Sequence, residues 1–86
     1  MRVKVKEVSN GIHPNEVVVS ILTKDGEEKL VVHRRSISNG GLEVGYPIFE
    51  ENGLYLIELP RESMRGLWRI WVQQVNVFES TVRQFA

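Results

Sequence analysis

Thirteen valines and six isoleucines stand against one alanine, Ala86, in this 86-residue chain. Branching at Cβ costs χ1 freedom in a helix and packs well on a pleated surface, so such a chain favours strands. The turn signals agree. Three of the five asparagines precede glycine, at Asn10-Gly11, Asn39-Gly40 and Asn52-Gly53, and Asp25-Gly26 is a fourth pair that accepts the positive φ angles of tight turns.

The first expected strand, residues 3–8, alternates Val3 and Val5 with Lys4 and Lys6. Lysines suit an edge strand, where charge discourages pairing with another chain. A loop at 9–15 leads to a strand at 16–23, with Val17, Val19 and Ile21 on one face and Val18 and Leu22 on the other, as in a central strand. With Asp25-Gly26 as a two-residue turn, Lys24 faces Glu27, Ile21 faces Leu30, Val19 faces Val32 and His33 lies opposite Val18. Slipping by one would set Ile21 against Lys29 and mix apolar with polar side chains. Residues 36–41 read as a loop before a strand at 42–49. The Asn52-Gly53 turn then sets Ile48 against Ile57, Phe49 against Leu56 and Tyr46 against Leu59, in a strand at 54–59 closed by Pro60. Pro47 lacks a backbone donor, so its nitrogen should face solvent or a bulge.

Two periods fit the C-terminal stretch. Met64, Trp68, Trp71, Val75, Phe78, Val82 and Phe85 form a helical seam, whereas Trp68, Ile70 and Val72 share a strand face that passes to Val75 and Val77 after Gln73-Gln74, as a bend requires. The crowding of Ile70, Val72, Val75 and Val77, with Gly66 in the first turns, favours a long bent strand over 67–78 with Trp68 in the core. Residues 79–86 read as a short helix or a loose tail. No internal repeat or low-complexity tract is evident. The expected architecture is one all-β domain of about six antiparallel strands, closed into a small barrel or a two-layer roll; the alternative is an α+β roll with one C-terminal helix.

Charge and composition then narrow function. Eleven Lys and Arg balance eleven Asp and Glu, which disfavours a protein built mainly to hold nucleic acid or an anionic membrane. With no cysteine there is no disulfide, thiolate metal site or thiol nucleophile. No apolar run approaches the roughly 18 residues of a membrane span, and the N-terminus has the charge of a signal peptide without its apolar stretch, so a soluble cytoplasmic protein is expected. His13 and His33 stand too far apart, with too few carboxylates nearby, to signal a metal site. Asp25, the sole aspartate, is used by a turn, and no Gly-x-Ser-x-Gly elbow or phosphate-cradling glycine loop occurs. Glu27-Glu28 and Glu50-Glu51 flank hairpin turns and read as solvated surface. No catalytic residue, cofactor or metal is expected.

The one constellation that stands out is Arg61, Arg65, Arg69, Trp68 and Trp71, because arginine and tryptophan are enriched at binding hot spots. On a strand Arg69 and Trp71 project from one face, and Arg61 and Arg65 lie in the adjoining loop. The expected partner-binding patch is therefore Arg61, Arg65, Arg69 and Trp71, on a non-catalytic protein-interaction module that includes self-association through edge strands among its partners. The alternative is single-stranded nucleic acid, with bases stacked on Trp71 and phosphates on the arginines, opposed by Glu50, Glu51, Glu58 and Glu62.

Overall fold

The computed structural model describes residues 1–78, so the expectation for 79–86 lies outside the described residues. Strands β1 (Arg2–Lys4), β2 (Lys6–Asn10), β3 (Glu16–Thr23), β4 (Gly26–His33) and β5 (Ile37–Ser38) are followed by β6 (Gly41–Glu43), β7 (Phe49–Glu51), β8 (Leu54–Glu58), β9 (Arg69–Gln73) and β10 (Val77–Phe78). The chain is all-β and antiparallel, but the barrel expectation is corrected. Among the described residues the strands form three small sheets, ordered β10-β1-β6-β5, β2-β3-β4 and β7-β8-β9, with ten strands in place of about six. Short strands and sharp corners explain the difference. A 3-10 turn follows β4 at Arg34–Ser36, another follows β9 at Gln74–Asn76, and each carries the chain from a three-stranded sheet into the four-stranded one.

The Asn52-Gly53 hairpin has the expected register, with Phe49 opposite Leu56, and both turn residues have positive φ (51° and 80°). The strand expected at 42–49 is instead divided into β6 and β7 around Gly45 and Pro47. The loop expected at 36–41 contains a second tight hairpin, Asn39-Gly40, with φ of 53° and 77° and Ile37 opposite Leu42. The strand expected at 3–8 is broken at Val5, whose N–H donates to the Gly40 carbonyl at 2.9 Å, and Val8 falls in a register shift between Glu7 and Ser9.

The first hairpin departs from its expected register by two residues. Thr23 faces Gly26, so Lys24 and Asp25 form the turn, and Val19 faces Leu30, Val17 faces Val32, Ile21 faces Glu28 and Glu16 faces His33. The Thr23 hydroxyl accepts from the Asp25 N–H (3.1 Å) and donates to the Gly26 carbonyl (2.7 Å), closing the turn early and leaving the positive φ to Gly26 (118°) inside the ladder. A two-residue slip changes partners without changing faces, so Val17, Val19, Ile21, Leu30 and Val32 still build the core, each at most 2% exposed. The C-terminal stretch is a strand that bends at Gln73-Gln74, as expected, although Val75 at the corner is exposed instead of facing the core.

Ladder by ladder, the structure contains an internal repeat, which corrects the reading that none is present. The sequence β1 to β5 matches β6 to β10 element for element, including the 3-10 turn before the last strand. In the β1–β6 ladder Arg2 faces Glu43, Val3 faces Leu42 and Lys4 faces Gly41, a register that exchanging the two strands leaves unchanged. Val3 also faces Val77 while Leu42 faces Ile37. The loop bonds repeat as well. Val5 N–H donates to Gly40 and Val44 N–H to Met1; Arg34 N–H donates to Asn15 and Gln74 N–H to Gly53. The core is made of the resulting pairs: Val3 with Leu42, Val5 with Val44, Val17 with Tyr55, Val19 with Ile57, Ile21 with Leu59, Leu30 with Ile70, Val32 with Val72, and Ile37 with Val77. Equivalent positions are apolar but seldom identical, and their connections differ in length, which hides the repeat from the sequence.

Candidate functional site

The two halves differ most between their third and fourth strands. The first half turns tightly at Lys24-Asp25, whereas the second departs after Glu58 into a loop that rejoins at Arg69. Pro60 brings no N–H with which to continue a ladder. The Leu59 N–H donates to the Trp68 carbonyl at 2.8 Å and closes the base of the loop, and Ser63 with Leu67 and Gly66 with Ser63 make its internal bonds. The Met64 N–H then donates to the Lys29 carbonyl on β4, so the loop lies along an edge strand of the first half.

What fixes the loop is Glu28. Alternation along β4 puts Glu28 on the same face as Leu30 and Val32, and its side chain is 1% exposed. A carboxylate there must be paired and hydrogen-bonded. Arg65 supplies Nη2 at 2.7 Å and Nε at 3.0 Å to Oε1, and the Ser63 hydroxyl donates to Oε2 at 2.6 Å. The Arg65 hydrogen bonds, helped by Ser63 and by the guanidinium charge, outweigh burial and hold the Glu28 carboxyl below its usual range; the same pairing raises Arg65. The Ser63 oxygen also accepts from the Arg65 and Leu67 N–H groups (3.3 and 3.0 Å). Donating its O–H to Glu28 and accepting two backbone N–H groups, Ser63 acts as a clasp between the carboxylate and the loop. Glu28 corrects the expectation of a solvated hairpin carboxylate.

The clasped loop displays apolar side chains. Met64 is 59% exposed, Leu67 38% and Trp68 51%. This corrects the assignment of Trp68 to the core. It has the strand parity of buried Ile70 and Val72, but it lies one residue before β9, beyond the edge of the packed layer.

The four expected patch residues are divided. Arg65 is on the loop, bound to Glu28, and Arg61 reaches Glu16 at 3.9 Å. Those carboxylates lie at opposite ends of the β3–β4 ladder, since Glu16 faces His33 and Glu28 faces Ile21 near the turn. Arg69 and Trp71 share the outer face of β9, opposite Glu58 and Leu56. Trp71 is half-buried, edge-on to Phe49 with centroids 6.2 Å apart, and the Lys24 ammonium sits 5.7 Å from its ring. Its carbonyl accepts from the Lys24 N–H at 3.0 Å, so each hairpin connection covers an edge strand of the other half. Sequence reasoning missed Glu28, Ser63, Met64 and Leu67. A charge in phase with Leu30 and Val32 was the available sign that Glu28 needed a partner.

Among the described residues no three His, Asp or Glu side chains are grouped to hold a metal ion, and no helix is long and apolar enough to cross a membrane. No protein-family model matches the sequence, and comparison with curated proteins and with solved structures finds no similar chain or fold.

Proposed function

We propose that this chain is a non-catalytic protein-interaction module that binds its partner through the loop at residues 59–69. The observation that carries this reading is the exposure of Met64, Leu67 and Trp68 on a loop immobilised by the Glu28, Ser63 and Arg65 contacts. A fixed loop has little conformational entropy to lose on association, and tryptophan, methionine and arginine are enriched at protein interfaces. Arg65 contributes the outward side of its guanidinium, and Arg61 and Arg69, near the two ends of the loop, form a polar rim. Arg69 with Trp71 forms the adjoining face of β9, where Phe49 extends the apolar row. Single-stranded nucleic acid is the weaker reading, because the carboxylates of Glu58 and Glu62 border the same segment.

The test pairs Trp68→Ala with Met64→Ala. Both side chains are more than half exposed, so each change should cost about 1–2 kcal/mol of stability, well under the value for a buried tryptophan. The double variant should keep the wild-type circular dichroism and lose protein partners that the wild type captures from its native lysate after nuclease treatment. Retention of the same partners by the folded double variant, or their disappearance with nuclease alone, would overturn the proposal.

A further inference from the structure

We infer that the fold is built to accept a second copy of its own chain by exchange of halves. The ladders divide in one way. Every pairing in the β2-β3-β4 sheet lies within the first half and every pairing in the β7-β8-β9 sheet within the second, whereas β10–β1, β1–β6 and β6–β5 each join one half to the other. The four-stranded sheet is thus an interface between two similar bodies, and it carries the bonds from Val5 to Gly40 and from Val44 to Met1 across it. The turn Asn39-Gly40 is the covalent link between them.

The register at that link permits exchange without a break. Ile37 faces Leu42 and Ser38 faces Gly41 across the turn. If Asn39 and Gly40 were removed, Ser38 would be bonded directly to Gly41 and the two could no longer face each other within one chain. Two such chains running antiparallel restore each pair: Ile37, Ser38, Gly41 and Leu42 of one lie against Leu42, Gly41, Ser38 and Ile37 of the other. The result is one continuous two-fold ladder, with residues 1–38 of each copy completing the four-stranded sheet of its partner. Apart from the turn and the Val5 bond to the Gly40 carbonyl, each copy keeps the contacts it had alone. The balance between the forms then rests on the turn and on association entropy. A two-residue tether holds the halves at an effective concentration on the order of mM, so the single chain prevails when dilute and the exchanged dimer gains near that range. The dimer presents two loops 59–69, which would make binding through that loop bivalent.

The test is the full chain with Asn39 and Gly40 deleted, beside the wild type refolded from denaturant at about 1 µM and about 1 mM, the first far below the tether's effective value and the second near it. The deletion variant should elute at twice the chain mass with the wild-type circular dichroism. In a mixture of two differently isotope-labelled populations, contacts between Val3 and Leu42 should connect different chains. A folded monomer, or a dimer lacking those inter-chain contacts, overturns the inference. Should the variant not fold, the wild type decides: a dimer with inter-chain Val3 to Leu42 contacts after refolding at high concentration supports exchange, and monomer at both concentrations overturns it.

Discussion

Glu28 links the core to the surface through one carboxylate. Because its folded value lies below the usual range, its contribution to stability is fully present above the ordinary carboxylate pKa and is lost as pH falls through the depressed folded value. Protonation removes the charge that Arg65 pairs with, and the loop that carries Trp68 should loosen before the core does. With Trp71→Phe, Trp68 is the remaining tryptophan and its emission reports the loop. We expect that emission to shift to the red in acid, below the ordinary carboxylate range, while far-ultraviolet circular dichroism still reports folded strands. In Glu28→Gln the red-shifted emission should already be present at neutral pH. If emission and circular dichroism move together at every pH, the carboxylate is not a local clasp.

At the scale of elements, the two Asn-Gly hairpins and the Lys24-Asp25 hairpin illustrate different controls. Asn52-Gly53 follows its sequence signal because both residues can take positive φ without help from the rest of the fold. At Asp25-Gly26 the same type of signal competes with the Thr23 hydroxyl, whose bonds to the Asp25 N–H and the Gly26 carbonyl close the turn one position earlier. Gly53 and Gly45 separate backbone strain from crowding, since an added Cβ would meet nothing within 4 Å at either, yet only Gly53 has a positive φ, 80°. Gly53→Ala should therefore cost about 1–2 kcal/mol, whereas Gly45→Ala should stabilise by about 0.4–1 kcal/mol through the unfolded chain, measured by denaturant unfolding. Equal effects would mean that the turn conformation is not what the glycine provides. The bend at Gln73-Gln74 was legible from the change of apolar phase, but its destination in the four-stranded sheet was not, because nothing local specifies which strand Val77 will face.

For the whole molecule, the repeat predicts a single unfolding unit. The four-stranded sheet takes strands from both halves, so neither half can keep its core pairs when the other opens. Ile57 and its counterpart Val19 are both fully buried, on β8 and β3. Ile57→Ala should cost about 2–5 kcal/mol, and amide protection on β3 should fall with that on β8 by the same free energy. Protection that persists on β3 after β8 has lost it would show that the halves unfold separately. The same symmetry accounts for the size of the core. The Cα atoms span 36 × 34 × 16 Å, a flattened shape in which one shared layer of apolar side chains serves all three sheets.

The strand class, the Asn52-Gly53 register, the core faces of β3, β4 and β9 and the bend after β9 are local properties, because they depend on side-chain period, branching and turn chemistry within a few residues. The clustering of Arg61, Arg65, Arg69 and the tryptophans in one segment is equally local. Which tryptophan is exposed, which carboxylate is buried and the division of the described residues into two equivalent halves are settled by packing. Those outcomes depend on contacts between distant positions: Glu28 meets Ser63 and Arg65, the Lys24 turn meets Trp71, and Val3 meets Leu42. Period and composition do not record which elements will meet. A repeat kept by burial and register, with few identical residues, becomes visible only when its ladders are laid side by side.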